Sequence, residues 1–484
     1  HIPKDFIKEA FLRVWDGDAE DDNFNQLVLL AKLNWRHVSL LRAYAKYSRQ
    51  VGTSFSANYM AATLIANPNI TQKMIELFES KFNPENNNSP GDIQKLEARL
   101  YQSLDAVTVL DEDRIFRKLT SIVMATLRTN FYQRDSAGNH KPYISLKINS
   151  SGVLNMPLPL PKFDIFVYSP DFEGIHLRAD NVARGGIRWS DRRQDFRVEV
   201  LGLMKAQQVK NSVIVPAGAK GGFVVKKPFL HLSREDGLQL GIDCYQGFIS
   251  GLLDVVDNIV DNQVTKPENT ICYDGDDYYL VVAADKGTAK FSDIANKIAI
   301  ERNFWLGDAF ASGGETGYDH MKMGITARGA WVSAERHFLD LGINIKKTEF
   351  TVVGIGDMSG DVFGNGLLMS NKALLTCAFN HQHIFIDPEP DARKSYKERQ
   401  RLFLLPRSNW ADYNQSLISK GGGVFERSQK SIKLSGQIQK LLGVRAKEMV
   451  PAELIKAILC SKVDMIWNGG IGTFVKATSE TDLL

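Results

Sequence analysis

Apolar residues recur at helical spacing through the first part of the chain. Val38, Leu41 and Ala45 fall at positions i, i+3 and i+7, and residues 93–104 repeat this spacing. Such a stripe places apolar side chains on one face of an α-helix. The pattern therefore predicts a helical segment over residues 1–140.

The pattern changes near Tyr143 to short apolar runs that alternate with polar positions, which is typical of strands. Longer periodic stretches between these runs predict helices, above all at 198–210 and 237–260. The predicted strands are 143–148, 163–168, 175–178, 212–215 and 279–283. We therefore expect a mixed α/β structure after the helical segment.

A third pattern begins near Gly342. An apolar run from Phe350 to Val353 leads into Gly354-Ile355-Gly356, a helix follows, and a second strand ends at Asp387. A strand, a glycine turn, a helix and a second strand form the opening of a βαβ unit. The predicted fold class is α/β, with an all-helical segment in front of it.

Length and charge narrow the classes of function. At about 150 residues a domain, 484 residues suggest three domains. Lysine and arginine total 59 against 56 aspartate and glutamate, a net charge of +3. A dedicated nucleic-acid or membrane-surface binder carries a concentrated basic excess, so this near balance argues against both kinds of partner.

The spacing of the cysteines indicates whether the protein works in an oxidising or a reducing cellular compartment. They stand at positions 244, 272, 377 and 460 without CxxC spacing, so neither a disulfide framework nor a zinc site is indicated. A reducing, cytoplasmic location is expected. No apolar run reaches the roughly 18 residues of a membrane span. The chain begins with His1 rather than Met, and we expect it to be a fragment of something longer.

The stretch from Ala183 to Val225 holds the densest candidate chemistry. Lys220 lies among glycines in Gly218-Ala219-Lys220-Gly221-Gly222, and Lys210 ends the predicted helix before it. Glycines allow backbone and substrate to approach closely, and a crowded lysine can act as an acid or base near neutral pH. The alternative is a solvated lysine in a surface turn.

Two further positions are candidates for binding or catalysis. Arg184 precedes Gly185-Gly186, and a buried arginine there could bind a carboxylate through two parallel hydrogen bonds. Arg192 and Arg193 are expected to form a solvated basic face. Asp285 follows the strand predicted at 279–283, where α/β enzymes place catalytic groups, although a helix N-cap is the other interpretation.

The glycine turn of the third part is a candidate dinucleotide site. The run from Gly354 to Gly360 (GIGDMSG) follows a strand and precedes a helix, a context in which backbone amides hold a pyrophosphate. Its third glycine is displaced by one position from the usual fingerprint. Asp387, 31 residues after Gly356, is predicted to bind the ribose hydroxyls and to favour NAD over NADP.

The histidines give little support to a metal site. His381 and His383 are expected on one face of a strand, but no third ligand is evident, so no metal is predicted. His320 is expected to have a structural hydrogen-bonding role.

Taken together, the motifs resemble the large-subunit class of NAD-specific glutamate dehydrogenases over about residues 181–476. Six ordered segments carry the resemblance: ARGGIRWSDRR, LGLMKAQQVKNSVIVPAGAKGG, VVAADKGTAKFSDIAN, GYDHMKMGITARGAW, GIGDMSGDVFGNG and DMIWNGGIGTFVKA. The resemblance implies a helical domain at 1–140 and a substrate-binding catalytic domain at 141–335. It also implies a Rossmann-like NAD-binding domain at 336–484, incomplete at its C-terminal end.

The resemblance also implies residue roles. Arg184 would bind the distal carboxylate of glutamate, where the small enzymes usually have Lys, and Lys210 would bind the α-carboxylate. Lys220 and Asp285 would be catalytic. The cofactor-binding residues would be Thr326, Gly354, Gly356, Asp357, Met358, Asp387 and Asn468.

The implied activity is oxidative deamination of L-glutamate to 2-oxoglutarate and ammonia, with NAD as cofactor, in a homo-oligomer. Two other interpretations stay open. A dehydrogenase for an apolar amino acid would have an apolar residue in place of Arg184. A catalytically silent NAD-binding scaffold would not need Lys210, Lys220 and Asp285 together.

Overall fold

The computed structural model describes residues 4–86, 88–210, 217–227, 233–284, 291–307, 320–406, 408–469 and 477–479. The chain divides into two compact units, His1–Gly317 and Tyr318–Leu484. The three-domain division at residues 140 and 335 stays a prediction. No helix among the described residues combines the length and the apolar character that crossing a bilayer requires.

The first unit opens with helices, as the apolar spacing predicts. They are α1 (Lys4–Trp15), α2 (Leu27–Leu30), α3 (Trp35–Gln50), α4 (Ala57–Ala66), α5 (Pro68–Phe82), α6 (Pro90–Leu104) and α7 (Leu110–Ala125). Side-chain caps fix several starts, because the first amides of a helix have no partner within it. Asn34 accepts a hydrogen bond from the His37 amide at the start of α3, and Ser89 and Asp92 form a capping box at α6.

A seven-stranded sheet follows the helices, in the order β1-β2-β3-β4-β6-β5-β9. Its strands are β1 (Thr126–Thr129), β2 (Ile144–Asn149), β3 (Phe163–Tyr168), β4 (Phe172–Arg178), β5 (Ala183–Trp189), β6 (Ala217–Val225) and β9 (Val281–Ala284). Neighbouring strands from β1 to β6 pair antiparallel, whereas β5 runs parallel to both β6 and β9. The predicted strand at 163–168 is confirmed, and the one at 212–215 lies outside the described residues.

Three helices and a hairpin complete the first unit. They are α8 (Phe196–Lys210), α9 (Arg234–Leu253), α10 (Ser292–Glu301), and the antiparallel pair β7 (Asn258–Val260) and β8 (Gln263–Thr265). The helix predicted at 237–260 ends at Leu253, and its last three positions form β7 instead. Apolar side chains of α9 and α10 pack on one face of the sheet, and those of α3, α7 and α8 pack on the other.

The second unit is built on a five-stranded sheet in the order β13-β12-β11-β10-β16. Its helices are α11 (His320–Met323), α12 (Ile325–Asp340), α13 (Asp361–Leu367), α14 (Ala392–Leu404), α15 (Gly436–Leu442) and α16 (Pro451–Leu459). Its strands are β10 (Phe350–Ile355), β11 (Ala373–Phe379), β12 (His383–Ile386), β13 (Gly423–Glu426) and β16 (Met465–Asn468), with a separate pair β14 (Ile432–Lys433) and β15 (Glu448–Met449).

The directions of these strands decide which residues can form a site. Strands β10, β11 and β16 are parallel, so β10, α13 and β11 form a βαβ unit as predicted, but its second strand ends at Phe379 and not at Asp387. Strand β12 runs antiparallel to β11. The α/β fold class with a helical first segment is confirmed.

Candidate functional site

Arg184 and Lys220 lie on adjacent parallel strands and share one face of the seven-stranded sheet. Arg184 of β5 is opposite Gly218 of β6. Lys220 is two residues further along β6, and residues two apart on a strand point to the same face. Helix α8 covers this face, since a Cβ atom at Gly222 would lie 2.5 Å from the Val200 side chain. The structure thus brings these two cationic candidates together.

Lys220 is 2% exposed and lies inside β6, where Leu177 of β4 is its cross-strand partner. The alternative of a solvated lysine in a surface turn is therefore wrong. The glycines serve close strand packing: a Cβ atom at Gly185 would lie 1.5 Å from the Ala219 carbonyl oxygen. Only glycine fits at that position of β5.

Lys210 and Asp285 stand at the edges of the described residues. Lys210 is the last residue of α8, which connects the parallel strands β5 and β6 and must run back between them. The end of α8 therefore lies toward the edge where β5 begins, near Arg184. Strand β9 pairs with β5 and ends at Ala284. Asp285 follows it in sequence and lies outside the described residues.

A buried network of ion pairs holds the segment that leads into β9. Arg178 of β4 donates to Asp277 through Nη1 at 2.8 Å and Nη2 at 2.5 Å, and Nη1 also donates to the Tyr279 carbonyl at 3.0 Å. Arg128 of β1 and Lys147 of β2 bind acids of the same segment. Burial opposes ionisation of Asp277, but Arg178 and Lys147 hold the pKa of its carboxyl well below the ordinary value.

This network was not found from the sequence. Arg178 and Asp277 are 99 positions apart, and neither belongs to a motif with a recognisable spacing. One hint of this network was present in the sequence, the cluster of aspartates at 274, 276 and 277 before an apolar strand. A solvated loop would explain that cluster equally well.

In the second unit, the glycine turn lies at the carboxyl end of β10. Gly356 has a φ angle of +131°, which residues with a side chain rarely adopt. A Cβ atom there would lie 2.9 Å from Phe363 of α13, and one at Gly354 would lie 2.5 Å from the same ring. Glycine at both positions therefore allows α13 to pack directly against the end of β10.

The turn fits the pyrophosphate of a dinucleotide. The Gly356 amide donates to the Phe379 carbonyl at 2.7 Å, but within the described residues the amides of Asp357 and Met358 donate to no group of the chain. Amides left open beside a glycine turn bind anionic oxygens. The amides of Asp357 and Met358 are thus available to an anionic group, as their predicted cofactor-binding role requires.

Asn380 is a functional candidate that the sequence reasoning missed. It follows β11, and its Nδ2 donates to Asp357 Oδ2 at 3.0 Å, which ties the glycine turn to the end of the second parallel strand. The signal was the polar triplet from Asn380 to Gln382 between two apolar runs, which marks a turn between two strands rather than one long strand.

Asn468 and Thr326 lie at the same end of the second unit. Asn468 ends β16 and is paired with Ile355, next to the glycine turn. Thr326 is in the first turn of α12, whose Trp331 contacts Trp467 at 5.6 Å between ring centroids. Further along α12, Phe338 packs on Phe350, the first residue of β10. Helix α12 therefore runs opposite to the strands and begins at the edge where they end.

Asp387 does not belong to this group, so its assignment as the ribose ligand is wrong. It follows β12, which is antiparallel to β11, and its amide donates to the Thr376 carbonyl at 2.7 Å. Asp387 is therefore level with Thr376 in the middle of β11, about 10 Å short of the strand end at Phe379 where the glycine turn lies. It is 1% exposed, its carboxylate accepts a hydrogen bond from the Ser419 amide at 3.1 Å, and burial raises its pKa.

The histidines do not share a strand face as predicted, because His381 lies in the turn and only His383 belongs to β12. The side chain of His320 lies outside the described residues. Within the described ranges, no group of three His, Cys, Asp or Glu side chains could hold a metal ion.

A parallel βαβ core with an open glycine turn at its carboxyl edge defines a Rossmann-type α/β protein. The chain belongs to a particular family of that class, the bacterial NAD-glutamate dehydrogenases. The model of their catalytic domain matches residues 99–483, and that of glutamate dehydrogenase helical motif 3 matches residues 19–84.

Named relatives agree with this family. The NAD-specific glutamate dehydrogenase of Halomonas elongata is 56% identical over 98% of this chain and 29% of its own length. That of Pseudomonas aeruginosa is 56% identical over 99% of this chain and 30% of its own. The chain therefore spans about 30% of the length of these relatives. Among solved structures, Plasmodium falciparum glutamate dehydrogenase is similar with a TM-score of 0.37 and 14% identity, covering 78% of this chain and 67% of that one.

Proposed function

We propose that this chain carries the catalytic residues for NAD-linked oxidative deamination of L-glutamate to 2-oxoglutarate and ammonia. The observation that carries the proposal is the placement of Arg184 and Lys220 on one face of adjacent strands, with Lys220 almost fully buried. Two cationic side chains on one partly enclosed face create a positive potential that attracts anionic groups. A dicarboxylic amino acid would supply those groups.

The roles in substrate binding follow from chemistry and position. Arg184 would bind the distal carboxylate through its planar fork, and Lys210 would bind the α-carboxylate. Holding both carboxylates fixes the substrate Cα in one orientation, which is mainly a contribution of positioning. A dehydrogenase for an apolar amino acid is less favoured, because its substrate would leave Arg184 without a partner.

Cofactor binding would fall to the second unit. The open amides of Asp357 and Met358 would hold the pyrophosphate, and Asn468 and Thr326 would lie toward the nicotinamide end. When bound, NAD supplies the acceptor for the hydride that leaves Cα. We propose NAD rather than NADP because the relatives at 54–56% identity are named NAD-specific.

Lys220 and Asp285 would carry the proton transfers. Loss of hydride from Cα leaves an iminium, and Lys220 would remove a proton from the water that attacks it. Asp285 would move the proton to the departing amine, so that ammonia leaves and 2-oxoglutarate forms.

We also propose that the protein is cytoplasmic and forms a homo-oligomer. The names of the relatives say nothing about either property.

The test is steady-state formation of NADH from glutamate by the purified protein and by Lys220→Ala. We expect the variant to retain less than about a tenth of wild-type kcat, a loss above roughly 1.4 kcal/mol, while NAD still binds in calorimetry. Lys297→Ala, at an exposed lysine of α10, is the matched control and should keep full activity. A Lys220→Ala enzyme with near wild-type kcat would sink the assignment.

A further inference from the structure

A cavity of about 290 Å³ lies in the first unit beside the carboxyl end of β6, away from Arg184 at the start of β5. It is formed where the end of α3 meets the loop that connects β5 to α8. Among the described residues that line it, four side chains are cationic and two are carboxylates: Lys46, Arg49, Arg193, Lys226, Glu20 and Glu173.

The two carboxylates are already occupied by the two lysines. Glu20 accepts from Lys226 and from the Tyr168 hydroxyl, the latter at 2.7 Å. Glu173 Oε1 lies 3.5 Å from Lys46 Nζ and 3.6 Å from Lys226 Nζ. Burial lowers the pKa of Lys226 even though Glu173 and Glu20 oppose that shift. The carboxylates therefore compensate only two of the four cationic side chains that line the cavity.

Arg49 adds charge that its described contacts do not neutralise. Its Nη2 donates to the Gln194 side-chain oxygen at 2.9 Å, and an amide oxygen carries no charge. Gln50 donates to the Gln194 carbonyl at 3.2 Å, so the end of α3 holds the loop that also carries Arg193. Arg49 is thereby held at the cavity wall, and within the described residues its guanidinium makes no contact with a carboxylate.

We propose that this cavity binds a small oxyanion of the phosphate or carboxylate class. A concave site with two more cations than carboxylates concentrates anions, and guanidinium groups bind planar oxyanions through paired hydrogen bonds. The loop over the cavity joins the strand of Arg184 to the helix that ends at Lys210. A bound anion would stabilise this loop, and the binding itself does not depend on the proposed activity.

The experiment is calorimetric titration of the chain with inorganic phosphate and, in a separate arm, with succinate, which distinguishes the two anion sources. Saturable binding is expected in at least one arm, and Arg49→Gln and Arg193→Gln should each weaken it roughly tenfold, as loss of a charge-assisted contact does. Arg445→Gln, at an exposed arginine of the other unit, removes the same charge and should leave the affinity unchanged.

A second variant covers the case in which an arginine variant does not fold. Gln194→Glu removes no cation and places a carboxylate against Arg49, so it should strengthen that contact and still weaken anion binding. Absence of saturable binding in both arms overturns the proposal. So does equal weakening by Arg445→Gln, or undiminished binding in Gln194→Glu.

Discussion

Arg178 and Asp277 form a bidentate ion pair in the interior of the first unit, with both side chains almost completely buried. Arg178 stands in β4 opposite Ala219, the neighbour of Lys220, and Asp277 stands eight residues before Asp285. The pair therefore links the strand beside one proposed catalytic residue to the segment that precedes the other. It is a structural feature with a direct bearing on the site.

Breaking this pair on one side should be costly. We expect Arg178→Met to lower the free energy of unfolding by about 3–5 kcal/mol, because it leaves Asp277 buried with one cation fewer. Denaturant titration followed by tryptophan fluorescence measures the change. Arg192→Met is the matched control: that arginine pairs with Asp195 at the surface, and its loss should cost less than about 1 kcal/mol. A loss below that value for Arg178→Met would contradict the role assigned to the network.

His176 should make the first unit sensitive to acid. It is fully buried in β4, neither ring nitrogen has a hydrogen-bond partner within the described residues, and burial, with Arg178, lowers its pKa to about 3. The unfolded imidazole takes up a proton near pH 6.5. Between these two values the unfolded state binds more protons, so stability falls as the pH drops below about 6.5.

The comparison that checks this is His176→Leu against wild type. The free energy of unfolding of the wild type should fall by about 1.4 kcal/mol more per pH unit between pH 6 and 4.5 than that of the variant. His381→Leu, at an exposed turn of the other unit, should keep the wild-type slope. Parallel slopes for His176→Leu and wild type would show that the buried imidazole does not titrate as its surroundings indicate.

Arg184 should determine the preference for a dicarboxylic substrate. Arg184 is partly buried, and loss of a charge-assisted contact that leaves the substrate carboxylate unpaired costs about 2–4 kcal/mol, so Arg184→Leu should lower kcat/KM for glutamate by roughly 30- to 1000-fold. Activity on norvaline should fall much less, or rise. The measurement is the ratio of kcat/KM for the two substrates, with Arg192→Leu as the control at a solvated arginine. An unchanged ratio in Arg184→Leu would transfer the role to Arg188 or Arg193.

Cofactor preference should not depend on Asp387. Since this carboxylate is buried beside the middle of β11 and accepts a hydrogen bond from the Ser419 amide, Asp387→Asn should leave the ratio of NAD to NADP affinities unchanged. Gly356→Ala should weaken NAD binding strongly, because it adds about 1–3 kcal/mol of backbone strain and contacts Phe363. Calorimetric titration of each variant with NAD and with NADP measures the two affinities. A shift toward NADP in Asp387→Asn would restore the ribose assignment.

The sequence predicted those parts of the fold that depend on local periodicity. The strand at 163–168 and the helix ending at Lys210 appear at the predicted bounds or within two residues of them. The glycine turn after β10 was also recognisable, because strand, glycines and helix follow one another directly in the chain. Both kinds of feature depend on residues that are neighbours in sequence.

Strand pairing, by contrast, depends on residues far apart, and only the tertiary structure decided it. The glycines around Lys220 favour a loop by local propensity, yet tight packing of β5 on β6 requires them inside the sheet. The apolar run that ends at Asp387 gives no strand direction, so the turn at Asn380 and the reversal into β12 moved this acid away from the site. The Arg178–Asp277 pair was beyond sequence reasoning for the same reason: an ion pair across 99 positions has no period, and only the folded sheet brings its two charges together.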